Sequence, residues 1–288
     1  MHRRAGDPRG AARRRGPLLA AVPRLGCAGG GVTQIAVSGL ALTPVKGTRL
    51  RAVQSVRLEP GGAVGNRRFY VIDERERMLN GKQLGELQTV LAEYSAPRLT
   101  LTFPDGRVVE EEVVTGAPVQ TRFFSHTRTA RLVRGPFSQA LSELAGQPLA
   151  LVQADGDGGA VDRGARGTVS LISRSSLAKL AAVAGQDEVD SRRFRMLIEV
   201  DGIDAHAEDA WVGSAVRVGA TKLAWLGHVG RCLVTSRDPD SGEIDLPTLD
   251  LLRGYRGDLE TTAPLPFGIY GTVLEPGEIV VGDAVRLL

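Results

Sequence analysis

Residues 98–114 read RLTLTFPDGRVVEEEVV, two runs of alternating apolar and polar residues on either side of Pro104-Asp105-Gly106. Proline presets the first turn angle and glycine accepts a positive one, so the stretch predicts an antiparallel hairpin. Outward from it the same pattern repeats. Short alternating runs at 34–42, 54–58, 69–73 and 129–133 predict further strands with no long helix among them. A helix is expected only at Ser138–Ala145, stopped by Gly146. After the glycines and aspartates of Ala154-Asp155-Gly156-Asp157-Gly158-Gly159, strands are expected at 168–172, 195–200, 215–218, 222–226, 232–236, 271–274 and 284–287, with one helix over Ser175–Ala184. The expected class is mainly β with a few helices (α+β). A first β-barrel domain is expected over 32–152 and a second over 153–288, with residues 1–31 expected to be a disordered Arg/Gly-rich tail.

Composition bounds the chemistry. The 288 residues carry 36 basic and 33 acidic side chains, a net charge of +3, yet seven arginines against Asp7 in residues 1–24 give that segment +6 and leave −3 for the rest. The basic excess therefore sits in a segment without aromatic residues to stack on bases, and no nucleic-acid partner is expected. With 2 cysteines, a tetracysteine zinc site or an internal iron–sulfur cluster cannot be assembled. The apolar run Pro17–Val22 is too short for an export signal, and Cys27 follows Arg24 too closely for lipidation. No stretch is long and apolar enough to span a membrane as a helix, and a cytoplasmic location is expected. The Asp-rich boundary lacks the terminal glutamate of a calcium loop.

Cys232 opens the segment Arg231-Cys232-Leu233-Val234-Thr235-Ser236-Arg237-Asp238-Pro239-Asp240-Ser241-Gly242. A lone cysteine before an apolar run is more often a small core residue than a nucleophile. Arg231 and Arg237 would favour the thiolate, the form that attacks substrates or binds metal, and the Asp-Pro-Asp-Ser-Gly turn would hold it at a rim. His228, four residues earlier, is a candidate proton donor, whereas His126 and His206 lack such neighbours.

The pattern R-C-x-x-T-x-x-D-P-x-S-G from Arg231 to Gly242 resembles the signature of the MOSC domain, named for the C-terminal domain of molybdenum cofactor sulfurase, and more closely that of the amidoxime-reducing branch of the family. Other matches follow in order. Leu42–Gly47 resembles the "YPVKS" element, Arg67–Ile72 the "DRFWLV" strand, Lys82-Gln83 the "RQ" step and Ser175-Ser176-Leu177 the "ASL" helix start. Arg193-Phe194-Arg195 resembles the start of "RFRPN", His206–Trp211 "YAEDxW", Pro266–Tyr270 "LFGxYF" and Gly282–Val285 "VGDPV". The resemblance implies a molybdenum cofactor (molybdopterin) bound between two barrels, with Cys232 as its metal ligand. A soft thiolate suits molybdenum. By the same resemblance Lys46, Arg68, Ser176 and Arg195 would hold the cofactor's phosphate, with Thr235, Arg231, Asp238 and Tyr270 lining the site.

The activity so implied is reduction of small N-hydroxylated compounds with electrons from a separate donor protein of ferredoxin, cytochrome or flavin reductase type. Two departures stand out: Met196-Leu197 replaces Pro-Asn, and Lys46-Gly47 replaces Lys-Ser, which points to a more apolar pocket. The alternative from another class is a sulfur-carrier or cofactor-delivery module using a persulfide on Cys232. Pyridoxal phosphate on a lysine such as Lys46 is set aside, since no lysine has an obvious Schiff-base setting.

Overall fold

The computed structural model describes residues 34–156 and 159–288; the expected tail and Cys27 lie outside them. All described residues belong to one compact unit. The first half contributes β1 (Ala36–Leu42), β2 (Arg51–Val53), β3 (Ser55–Glu59), β4 (Gly62–Ala63), β5 (Phe69–Ile72), β6 (Met78–Leu79), β7 (Leu91–Ser95), β8 (Arg98–Thr102), β9 (Val108–Glu112), β10 (Thr115–Phe123), β11 (His126–Val133), α1 (Phe137–Ala145) and β12 (Ala150–Ala154). The second contributes β13 (Val169–Ser173), α2 (Arg174–Ala184), β14 (Ile198–Asp201), β15 (Ala215–Val218), β16 (Thr221–Gly230), α3 (Thr248–Arg256), β17 (Pro266–Glu275), β18 (Gly277–Val280) and β19 (Val285–Leu287).

The hairpin around Pro104 forms as its residues dictate. β8 and β9 pair from Thr102 opposite Val108 to Arg98 opposite Glu112. Gly106 takes a φ of +86° in the turn, and Leu99, Leu101 and Phe103 point into the core. With β7 they make a three-stranded sheet; β10-β11-β12-β5-β6 make a second sheet and β18-β3-β4 a third.

The largest sheet runs β19-β15-β16-β17-β13-β14-β1-β2. Early β1 pairs antiparallel with late β14, and β3 pairs with β18, so the strands interleave across the sequence boundary at 154–159. The class is mainly β, α+β, as expected, but no closed barrel is found among the described residues. The large sheet instead ends on two three-residue strands, β2 and β19. One apolar core lies under this sheet around Trp225, Leu171 and Ile198, and another lies around Phe69, Leu99 and Phe137.

Two local expectations change. The run Cys232–Ser236, expected as a strand, is a 3-10 turn over Leu233–Ser236, closed by Thr235, whose backbone N–H and hydroxyl both donate to the Cys232 carbonyl at 3.0 Å. Helix α3 carries no side-chain cap and a glycine in its last turns, which hides it in the sequence; Leu252 buries its inner face. No helix among the described residues is long and apolar enough to cross a membrane.

Candidate active site

A cavity of about 450 Å³ opens where the loop after β1, the segment before β5 and the end of β16 meet. Cys232 lies on its wall, a free thiol in a half-buried residue. Around it stand Lys46, Arg67, Lys82, Arg163, Arg193, Arg195 and Arg231, with Asp162 the one carboxylate on the wall among the described residues.

Each inner cation is placed by backbone geometry. The loop after β1 is laced to β5 by Lys46 N–H donating to the Phe69 carbonyl at 2.8 Å and Phe69 N–H to that of Pro44 at 2.9 Å. A hydroxyl pair, Thr43 with Thr48 at 2.6 Å, stiffens it from below. Lys46 is thereby buried, and its ammonium pairs with Asp162. Arg67 and Arg195 both occupy the left-handed region, with φ of +49° and +55°. Such backbone costs a non-glycine residue roughly 1 kcal/mol or more. Arg67 Nη2 donates to the Arg195 carbonyl at 2.9 Å, and Arg195 Nη2 to that of Thr48 at 2.7 Å. Arg231 donates from Nε to the Phe267 carbonyl and from Nη1 to that of Phe194, both at 2.8 Å. Its Nη2 lies 3.2 Å from Met196 Sδ.

Loss of water pushes the Lys46 ammonium down to about 8, and the Arg195 and Arg231 guanidiniums down to about 9. Arg67 is lowered for the same reason. Burial opposes the charge on Asp162, but Lys46 and then Arg67 hold its carboxyl below the usual range. Guanidiniums keep their protons in proteins, so these shifts express first the cost of holding charge away from water and then the crowding of like charges. An anion would relieve that crowding. Facing the cations is an apolar wall of Phe194, Met196, Val229 and Val234, with Tyr270 stacked 4.3 Å under Arg163.

Of the residues expected in the site, Lys46, Arg195, Arg231, Cys232, Thr235 and Tyr270 line this one cavity. Three others are placed elsewhere. Ser176 is fully buried, its hydroxyl donating to Glu208 at 2.7 Å and accepting the His206 N–H at 2.8 Å, while its own N–H is capped by the Ser173 hydroxyl at 3.1 Å, so it is committed to interior partners. Arg68 is exposed, stacks over Tyr94 at 5.7 Å and lines a separate cavity; Arg67 is the neighbour that turns inward.

Asp238 supports the rim without lining the cavity. Its carboxylate accepts the N–H groups of Asp240 at 3.0 Å and Ser241 at 2.7 Å. Arg237 is likewise engaged with the Gly242 carbonyl at 2.6 Å. His228 is buried on β16, 3.2 Å from the Thr262 hydroxyl and 3.9 Å from Asp209, and does not reach the cavity.

Asp162 and Arg163 were not foreseeable: their partners lie about a hundred residues away and no local pattern marks them. No cluster of three or more His, Cys, Asp or Glu placed for a metal is found among the described residues; Asp157 and Gly158 of the Asp-rich boundary lie outside those residues.

Residues 158–286 match the model of the family described as MOSC domain. The chain is 28% identical to mitochondrial amidoxime-reducing component 1 of Xenopus laevis, over 86% of this chain and 81% of that protein. It is 34% identical to the human protein of the same name, over 41% of this chain and 36% of that protein. Among solved structures it resembles the YUAD protein from Bacillus subtilis, with a TM-score of 0.41 at 12% identity, covering 88% of this chain and 94% of that one.

Proposed function

Since residues 158–286 match the family model described as MOSC domain, we propose that the chain is a molybdenum cofactor-dependent oxidoreductase that reduces small N-hydroxylated compounds. The observation that carries this reading is the placement of the Cys232 thiol in one cavity with the cations Lys46, Arg67, Arg195 and Arg231. The donor set fits the group: a soft sulfur for the metal, and Lys46, Arg67 and Arg195 for a phosphate. The names of the relatives, amidoxime-reducing components, support the choice of substrate class.

When bound, the cofactor supplies two-electron reduction of an N–OH bond, giving the N–H product and water at the expense of two electrons and two protons. The protein's own part is positional. Cys232 Sγ would hold the metal. Arg231, locked onto the carbonyls of Phe194 and Phe267, fixes the backbone on which that cysteine sits. Phe194, Met196 and Val229 exclude water from the reacting end and favour substrates with an apolar body. Electrons are to come from a separate donor protein.

Metal content and activity test the reading together. Full-length protein from a host that makes the cofactor should carry molybdenum near one per chain and reduce benzamidoxime. Cys232→Ser should keep its circular dichroism spectrum while losing that activity by a factor of about a hundred or more. A metal-free protein with a persulfide on Cys232 would instead establish the sulfur carrier.

A further inference from the structure

The segment from Gly159 to Gly167 forms a strap along one wall of the cavity. Its first residues are fixed. Ala160 N–H donates to the Arg67 carbonyl at 2.6 Å, Ala160 and Val161 are buried, and Arg128 donates to the carbonyls of Gly159 and Val161 at 3.3 and 3.4 Å. Beyond Val161 the strap is held by its side chains: Asp162 on Lys46 and Arg163 over the Tyr270 ring.

The ion pair at its centre is lopsided. The Lys46 side chain is 7% exposed and cannot follow a departing partner, whereas that of Asp162 is 46% exposed and borders water. An anion that takes over the buried ammonium leaves no charge unpaired inside when the half-exposed carboxylate turns to solvent. A phosphate monoester dianion arriving at Lys46, Arg67 and Arg195 brings more charge and three strong acceptor oxygens. It cannot share Lys46 with a second anion without like-charge repulsion.

We propose that Asp162 is a displaceable counter-ion that sets the charge requirement of this cradle: a phosphate dianion evicts the carboxylate from Lys46 and loosens the strap that carries it, while a monoanion does not. The inference rests on the reading that the cavity holds a phosphate-bearing cofactor, and it adds a residue that selects for the doubly charged end of that ligand. Asp162 is thus a specificity residue acting through Lys46, and Arg163 leaves the Tyr270 ring when it moves.

The test uses the chain prepared free of cofactor, with methyl phosphate (phosphate below) as the dianionic and dimethyl phosphate as the monoanionic probe in calorimetry at about pH 7.5. Wild type should bind phosphate and discriminate against dimethyl phosphate. Asp162→Asn should bind phosphate about tenfold tighter and admit dimethyl phosphate, so that the ratio between the two probes shrinks. In wild type, saturating phosphate should raise amide hydrogen exchange across 162–167. Asp162→Ser, checked with Asp162→Asn for an unchanged circular dichroism spectrum, should behave alike and separates loss of charge from altered shape.

Phosphate binding of equal strength in wild type and both variants, or an unchanged exchange rate in the strap, overturns the counter-ion role while leaving the phosphate cradle standing. No phosphate binding by any of the three folded proteins overturns the cradle itself, and the counter-ion with it.

Discussion

Lys46 shows how one side chain carries two opposed pH dependences. Burial holds its ammonium near 8, below the ordinary lysine value of 10.5. Between those values the unfolded chain binds the proton and the folded chain does not, so on this account folding stability rises with pH across that window. Anion affinity runs the other way, because a cation of the cradle is lost as pH rises through about 8. Sulfate, whose charge is constant there, should bind several-fold more weakly at about pH 9 than at about pH 7, and Lys46→Arg should flatten the dependence; calorimetry at the two pH values checks both. At this scale much was legible. Cys232, Arg231 and Lys46 stand out because their neighbours form a pattern. Arg67 did not, because which of two adjacent arginines faces inward depends on one backbone angle, +49° at Arg67.

The turn that closes the cysteine motif is held by backbone fit. Gly242 has a φ of +77°, and a Cβ there would lie 2.3 Å from the Gly85 carbonyl oxygen. Gly242→Ala should therefore cost about 1–3 kcal/mol in thermal unfolding and speed the reaction of Cys232 with a disulfide reagent, as the rim lifts from the Gly85 segment. An unchanged melting point and thiol rate would refute the coupling. The turn itself was readable from Asp238-Pro239-Asp240-Ser241-Gly242, as were α1 and α2 from their apolar faces and the glycines that end them. The 3-10 turn after Cys232 was not: Leu233-Val234 favours a strand locally, and the Thr235 hydroxyl folding back on the Cys232 carbonyl overrides it. Ser176 misled for a related reason. A serine at a helix start suits an anion, but the buried Glu208 already occupies it.

At the level of the whole chain, sequence order and spatial order part company. The glycines near 156 look like a domain boundary, yet β1 fills the place between β14 and β2, and β3 completes the edge of β18. Those pairings join residues more than a hundred positions apart, which hydrophobic periodicity cannot report. A fragment of residues 153–288 would expose the apolar flank of β14 and lose its partner for β18. It should lack a cooperative thermal transition, and adding residues 34–152 in trans should restore one; an independently melting fragment would contradict the topology. The cavity inherits this arrangement, with Lys46 and Arg67 supplied by the first half and Arg195, Arg231 and Cys232 by the second. Whatever occupies it fastens the two halves to each other, so its binding free energy is added to folding. Cells starved of the ligand would hold less of the protein as well as less of its activity, proteolysis removing the unfastened chains, and supply would govern abundance with no dedicated regulator.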